Sequence, residues 1–189
     1  MPDIMTGKRP RIDLTLSQTD KVIEILAAGL MVGLFIYTFV SWSNLPEIIP
    51  MHFDSKGQPD GYGGRITIFF SPLLTLTLFI LLTILNRRPD IFNYPIRISP
   101  ENAEYHYRLA TKMLRLLKLS LVIMFGAITW SVVHSAQTGN GDYVMWVLPF
   151  ALIITFLPII YYFIQVFKRR PVKAGAINKA SKTKKCKLY

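Results

Sequence analysis

The chain holds one cysteine, Cys186, three histidines, and half as many acids as bases, 11 Asp and Glu against 22 Lys and Arg. A lone cysteine excludes an internal disulfide framework. It also stands too far beyond the last apolar run for a juxtamembrane lipid anchor. No H-E-x-x-H, G-x-S-x-G or cysteine pair occurs, so zincin, esterase-elbow and zinc-ribbon chemistries have no motif to rest on. No glycine-rich phosphate loop follows a strand, and no cofactor is implied. Acids are missing from the middle of every apolar run, which counts against an ion-driven transporter.

What the chain has is apolar length. Hydrophobic residues make up 51% of it, with a mean hydropathy of +0.35. They come in four runs, at about residues 22–40, 66–85, 116–136 and 143–167, each long enough to cross a hydrocarbon core of roughly 30 Å. Single runs of this length satisfy their backbone only as helices. The first run is longer than the apolar part of a cleavable signal. The expected fold is all-α: an integral membrane four-helix bundle with an outer turn-rich loop at 45–65 and a cytoplasmic amphipathic helix. Residues 1–21 form a cytoplasmic lead-in, 22–167 the membrane domain, and 168–189 a basic cytoplasmic tail.

Charge orients the bundle. Twenty of the 22 bases fall in the lead-in, in the segment between the second and third runs, or in the tail, while only Lys56 and Arg65 fall in the alternate loops. Basic residues stay on the cytoplasmic side, so both termini are expected inside and the 45–65 loop outside. A nucleic-acid-binding protein would not sort its charge by alternate loops, so nucleic acid is excluded as a partner. The bilayer is the expected partner, with anionic lipids under the tail.

Ser17 or Thr19 is placed to cap the first helix, with Asp20 in its first turn. Glu24 fits the positive end of that helix; an ion-coupling role is the alternative. Gly29 and Gly33 form G-x-x-x-G, a helix-packing face and a candidate homodimer contact. Ser71-Pro72 predicts a kink in the second span, and Pro149 and Pro158 bends in the fourth. Ser99, Pro100 and Glu101 read as a helix start. Beyond it Leu109, Met113, Leu116 and Leu117 share one face, with Arg108, Lys112 and Arg115 opposite. Such a helix suits the inner headgroup layer or a docked partner protein.

The loop LPEIIPMHFDSKGQPDGYGGR is the main candidate site. Its expected binding residues are Pro46, Pro50, His52, Phe53, Asp54, Gly57, Pro59, Asp60 and Gly61. Residues 51–53 suit a short strand. Asp54-Ser-Lys-Gly57 and Pro59-Asp-Gly61 carry turn chemistry. The apolar members Leu45, Ile48, Ile49, Met51, Phe53 and Tyr62 are expected to face helices or headgroups. His52, Asp54 and His134 are candidate metal ligands or general bases, with Glu47, Asp60 and Asp142 nearby on the same side. A loop-bracing hydrogen bond is the competing role for His52.

These loop residues resemble the signature of the domain-of-unknown-function family 1648, also found at the N-terminus of SdpI-type toxin-immunity proteins. The resemblance rests on Leu45-Pro46, Ile49-Pro50, His52-Phe53, Gly57 and Pro59-Asp60-Gly61. An inner motif, Phe92-Asn93-Tyr94-Pro95 followed by Glu101-Asn102-Ala103, is similar to members carrying the domain alone. Asp54, Tyr62 and Arg65 stand where Asn, Trp and Lys are more frequent, and each keeps the chemical type. The resemblance implies a multi-pass protein of the bacterial cytoplasmic membrane and supplies no active site. Immunity proteins of this type carry further helices, whereas this chain has four runs. The expected function is non-catalytic, an extracytoplasmic sensor or immunity-like protein that meets a peptide or toxin. A metal-assisted hydrolase using the outer His and Asp residues, and a small permease, are the alternatives.

Overall fold

The computed structural model describes residues 9–141 and 144–168. Four helices carry the fold: α1 (Gln18–Trp42), α2 (Phe70–Leu85), α3 (Ala103–Thr138) and α4 (Val144–Lys168). Each, with the 3-10 turn Arg65–Phe69 counted into the second, is long and apolar enough to cross a membrane. The chain is a multi-pass membrane protein. Two antiparallel strands, β1 (Ile48–Phe53) and β2 (Pro59–Gly64), close one end of the bundle. That end is the hairpin end; the opposite one, where α1 starts and α4 finishes, is the terminal end. The basic tail from Arg169 onward and Asp142 lie outside the described residues.

In α1 the buried positions are Asp20, Ile23, Ala27, Met31, Leu34, Thr38 and Ser41, a stripe at steps of three and four. The remaining faces are also apolar, with Val22, Ile25, Val32, Ile36 and Phe39 exposed. A helix apolar all round is a membrane helix. Since lipid is as apolar as leucine, association relies on close packing and buried polar contacts. Thr129 of α3 donates to Ser71 Oγ at 3.1 Å, and Ser71 donates to the Phe125 carbonyl at 3.3 Å. Residues of α3 touch all three other helices and β1, so α3 is the central strut.

Several local expectations change. Ser17 caps α1, and Asp20 completes the capping box by accepting from the Ser17 N–H at 3.0 Å. The lead-in is held against the rest of the fold at Arg9, Pro10 and Thr15. Arg9 donates to the Phe92 carbonyl and lies over the Tyr94 ring, and Tyr107 donates to the Pro10 carbonyl at 3.1 Å. Pro72 falls in the first turn of α2, which opens at Phe70. A missing N–H costs nothing there, so no kink is required. The start of α3 moves to Ala103, with Asn102 rather than Ser99 at the N-cap. Asn102 Oδ1 accepts from the Ser99 N–H at 2.8 Å, a turn that leads into the helix. The amphipathic segment and the third span are one continuous helix of 36 residues. Pro149 and Pro158 both lie within α4.

Candidate functional site

The hairpin is built by close approach. Gly61 faces His52, and a Cβ there would sit 2.9 Å from the His52 Cβ; Gly63 meets Met51 in the same way, at 2.9 Å from its Cγ. Glycine at both places lets β2 lie against β1, although Pro-Asp-Gly-Tyr-Gly-Gly has weak strand propensity. The Arg65 N–H donates to the Glu47 carbonyl at 2.8 Å and closes the base. At the tip, Asp54 Oδ1 accepts from the Lys56 and Gln58 N–H groups, both at 2.8 Å. Gly57 takes φ of 80°, the left-handed region where a side chain is strained. Its carbonyl packs on Gly141, where a Cβ would lie 2.2 Å from that oxygen and 3.2 Å from the Phe53 ring. The tip is therefore seated on the turn between α3 and α4.

Only part of the apolar set faces inward. Leu45 and Ile49 are buried at 4% and 0% exposure, in a cluster with Ile68 and Val133. Tyr37, Trp42 and Phe69 pack around it. Side chains of this size contribute about 1.5–3 kcal/mol each when withdrawn from water. Ile48, Met51 and Tyr62 are exposed, at 65%, 44% and 63%. Arg65 lies over the Trp42 ring at 4.9 Å, a cation and an aromatic side by side at this end of the bundle.

His52 pairs with Asp60 through Nδ1 and Oδ1, and both side chains are exposed. Asp54, expected beside His52, is instead committed to its own turn. His134 sits in α3, stacked on Trp130 with ring centroids 5.1 Å apart. Among the described residues, no three His, Cys, Asp or Glu side chains gather as a metal site, so His52, Asp54 and His134 are not brought together. Of the other loop residues, Pro50 is buried in β1, Pro46 is exposed, and Pro59 pairs with Phe53 across the strands.

The terminal end holds a second set of functional side chains. Asp20 and Glu24 of α1 face Arg115 and Lys118 of α3. Arg115 lies 3.6 Å from Asp20 and 3.4 Å from Glu24. Lys118 pairs with Glu24, donates to Thr83 Oγ1 at 2.9 Å, and rests 4.5 Å from the Phe79 ring centroid. The Lys118 side chain is 1% exposed and that of Arg115 8%. Arg115 therefore leaves the solvated face expected for it. The signal in the sequence was a pair of acids four apart in one helix and a pair of bases three apart in another, at matching depth. An isolated charge at that depth is costly, and a paired one much less so.

The inner motif is a packing element. Tyr94 is buried with Tyr107, Ala103, Tyr162 and Val166, and it donates to the Pro89 carbonyl at 3.0 Å. Burial pushes its phenol well above the usual tyrosine range. Phe92 stacks on Tyr94 with centroids 6.1 Å apart. Asn93 and Pro95 are exposed, and Phe92 and Asn93 line an apolar cavity of about 450 Å³ between α2, α3 and α4. Asp90 is held below the usual carboxylate range, chiefly by its hydrogen bonds from Arg88, with Arg11 adding 3.7 Å away.

Comparison with known proteins agrees with this layout. An uncharacterised protein of the archaeon Archaeoglobus fulgidus is 24% identical over 166 residues, covering 80% of this chain and 82% of the relative. Similarity to this chain therefore extends to an archaeal protein. No solved structure matches significantly. A family model does: residues 29–76 match the domain of unknown function DUF1648. That stretch begins at the glycine face of α1, takes in the whole hairpin and ends within α2. Residues 29–76 thus match the DUF1648 domain, with the hairpin in the middle of the matched stretch.

Proposed function

We propose that the hairpin is the recognition surface of a non-catalytic membrane receptor of the sensing or immunity type. Its partner is an extended peptide segment of a secreted toxin or an envelope protein. One observation carries the reading: the hairpin is fastened from behind and displays from the front. Ile49 is fully hidden against the helices, whereas Ile48, Met51 and Tyr62 stand exposed beside the His52–Asp60 pair. A surface built only to cap the bundle would turn those apolar side chains inward. Each strand of a two-stranded sheet is paired on one side only, so a peptide can add as a further strand. Apolar side chains of the peptide would meet Ile48, Met51 and Tyr62, and a basic or acidic one the His52–Asp60 pair.

The sorting of basic residues supports an outer location for the hairpin, and the resemblance to SdpI-type immunity proteins supports a toxin or peptide as partner. The test places a photo-crosslinking residue at position 62 in intact cells and identifies the adducts by mass spectrometry. A discrete peptide or protein adduct is expected, lost in a Met51→Ala, His52→Ala double variant that still inserts. Adducts with lipid alone, unchanged in that variant, would refute the reading. Orientation has its own check. A Ser55→Cys variant should react with an impermeant thiol reagent in intact cells while Cys186 does not. The reverse labelling would put the hairpin inside and end the proposal.

A further inference from the structure

The crevice between α1 and α3 has two parts, with the Glu24–Lys118 pair between them along the helices; neither is lined by the hairpin strands. At the terminal end is a polar cleft of about 190 Å³, lined by Ser17, Asp20, Arg108, Lys112 and Arg115 among others. Further along the same two helices is an apolar groove of about 390 Å³, with Gly29, Gly33 and Gly126 in its lining and Leu30, Tyr37 and Trp130 beside them. At 100° per residue, Arg108, Lys112, Ile123, Gly126 and Trp130 share one face of α3. Lys112 and Ile123 are separated by about 16 Å of helix rise. The cleft lies level with the start of α1, at headgroup depth, and the groove lies within the span.

Three observations say what fills them. The side chain of Arg115 is nine-tenths buried and lines the cleft, yet its Nε makes no hydrogen bond among the described residues and meets Glu24 only at 3.4 Å. On these two helices Lys21, Arg108, Lys112, Arg115 and Lys118 exceed Asp20, Glu24 and Glu104 by two positive charges, and three of the bases line the cleft against one acid, Asp20. A Cβ built at Gly29, Gly33 or Gly126 meets nothing within 4 Å, so no helix of the chain fills the groove. Excess positive charge at one end of an open apolar groove is complementary to a phosphodiester with its chain. A second copy of α1 would cover the glycines, but its Asp20 and Glu24 are already joined to Arg115 and Lys118 of its own α3.

We propose that this crevice is a binding site for one anionic phospholipid, its phosphate among Arg108, Lys112 and Arg115 and an acyl chain along Gly29, Gly33 and Gly126. The site couples the lipid to the α1–α3 contact. The experiment is native mass spectrometry of the full chain, exchanged from nanodiscs of phosphatidylglycerol or of phosphatidylcholine. One retained phosphatidylglycerol is expected, held at least about tenfold more strongly than phosphatidylcholine. Arg108→Gln with Lys112→Gln should weaken retention about tenfold, as should Gly33→Leu, which enters the groove from a position where a Cβ meets nothing within 4 Å. Gly126→Leu tests the same groove should the Gly33 variant show an altered circular dichroism spectrum. Retention unchanged in the basic and the glycine variants would overturn the proposal. So would inorganic phosphate displacing the lipid from wild type and binding the Gly33 variant equally well, which would make the cleft a free-anion site. Loss of a dimer in the glycine variants with lipid retention intact would overturn it too, and assign the groove to a helix.

Discussion

At the hairpin end Ile49 is pressed against the helices with no exposure; at the terminal end a lysine, Lys118, is hidden almost as fully, with 1%. The two ends invert each other's chemistry. The hairpin is fixed by apolar contacts and leaves its charged pair, His52 and Asp60, in the open. The terminal end adds charges to its tyrosine cluster and hides them, joining Asp20 and Glu24 to Arg115 and Lys118. The same residue types therefore have different tasks at the two ends. Charges that hold helices together are committed to each other, while charges on an apolar-anchored platform remain able to meet a partner.

That contrast breaks most readily at the terminal end. Glu24→Gln leaves Lys118 without its carboxylate and Arg115 with Asp20 alone, and such a loss costs about 3–5 kcal/mol. Thermal unfolding in detergent should show a clear drop, and a Glu24→Leu, Lys118→Met double variant should recover much of it. Equal losses in the single and double variants would mean the pair adds nothing beyond packing. Next comes Ile49→Ala, expected to cost about 2–4 kcal/mol by emptying a filled site. The cost should appear as faster proteolysis of the hairpin. His52→Ala or Asp60→Ala, in contrast, should stay within about 0.5 kcal/mol because an exposed pair contributes little. If the His52 variant proved as damaging as the Ile49 one, the distinction between anchor and display would fail.

Gly57→Ala should cost about 1–2 kcal/mol through the left-handed backbone alone, read as increased hydrogen exchange at the Lys56 and Gln58 amides. The smallest effect belongs to Asp90. Its carboxyl is lowered in the folded protein, so its contribution is complete above the ordinary carboxylate value and fades as pH falls through the folded one. Amides of the connector from Asp90 to Tyr94 should exchange faster only in acid, and Asp90→Asn should remove that pH dependence. An unchanged acid profile in the variant would assign the loosening to another group.

Much of the fold was legible because the bilayer imposes a length rule on four apolar runs. The ends were less so. The first helix begins at Gln18, earlier than its apolar run, since interfacial turns are polar and hydropathy ignores them. The second strand was hidden because Gly61 and Gly63 are chosen for proximity to His52 and Met51, and propensity is blind to a partner across the hairpin. His52, Asp54 and Asp60 were visible as a group, but their division was not. Register pairs His52 with Asp60, and turn chemistry claims Asp54. Gly141 was overlooked because its role exists only against Gly57, far away in the chain. The buried charges were read one helix at a time, which makes Arg115 look like a water-facing base. Only the facing of α1 and α3 shows it to be a clasp.

One consequence of the unbroken α3 is mechanical. At 36 residues it is about 54 Å long, longer than the hydrocarbon it crosses. Its turn supports the hairpin tip at one extremity, and its other extremity packs on Tyr94 and the segment before α1. A stiff rod held near its middle acts as a lever, and a tilt of about 5° there moves each extremity by roughly 2 Å in opposite senses. Pressure on the hairpin would thus arrive at the tyrosine cluster as a sideways displacement, with no hinge in α3 to absorb it.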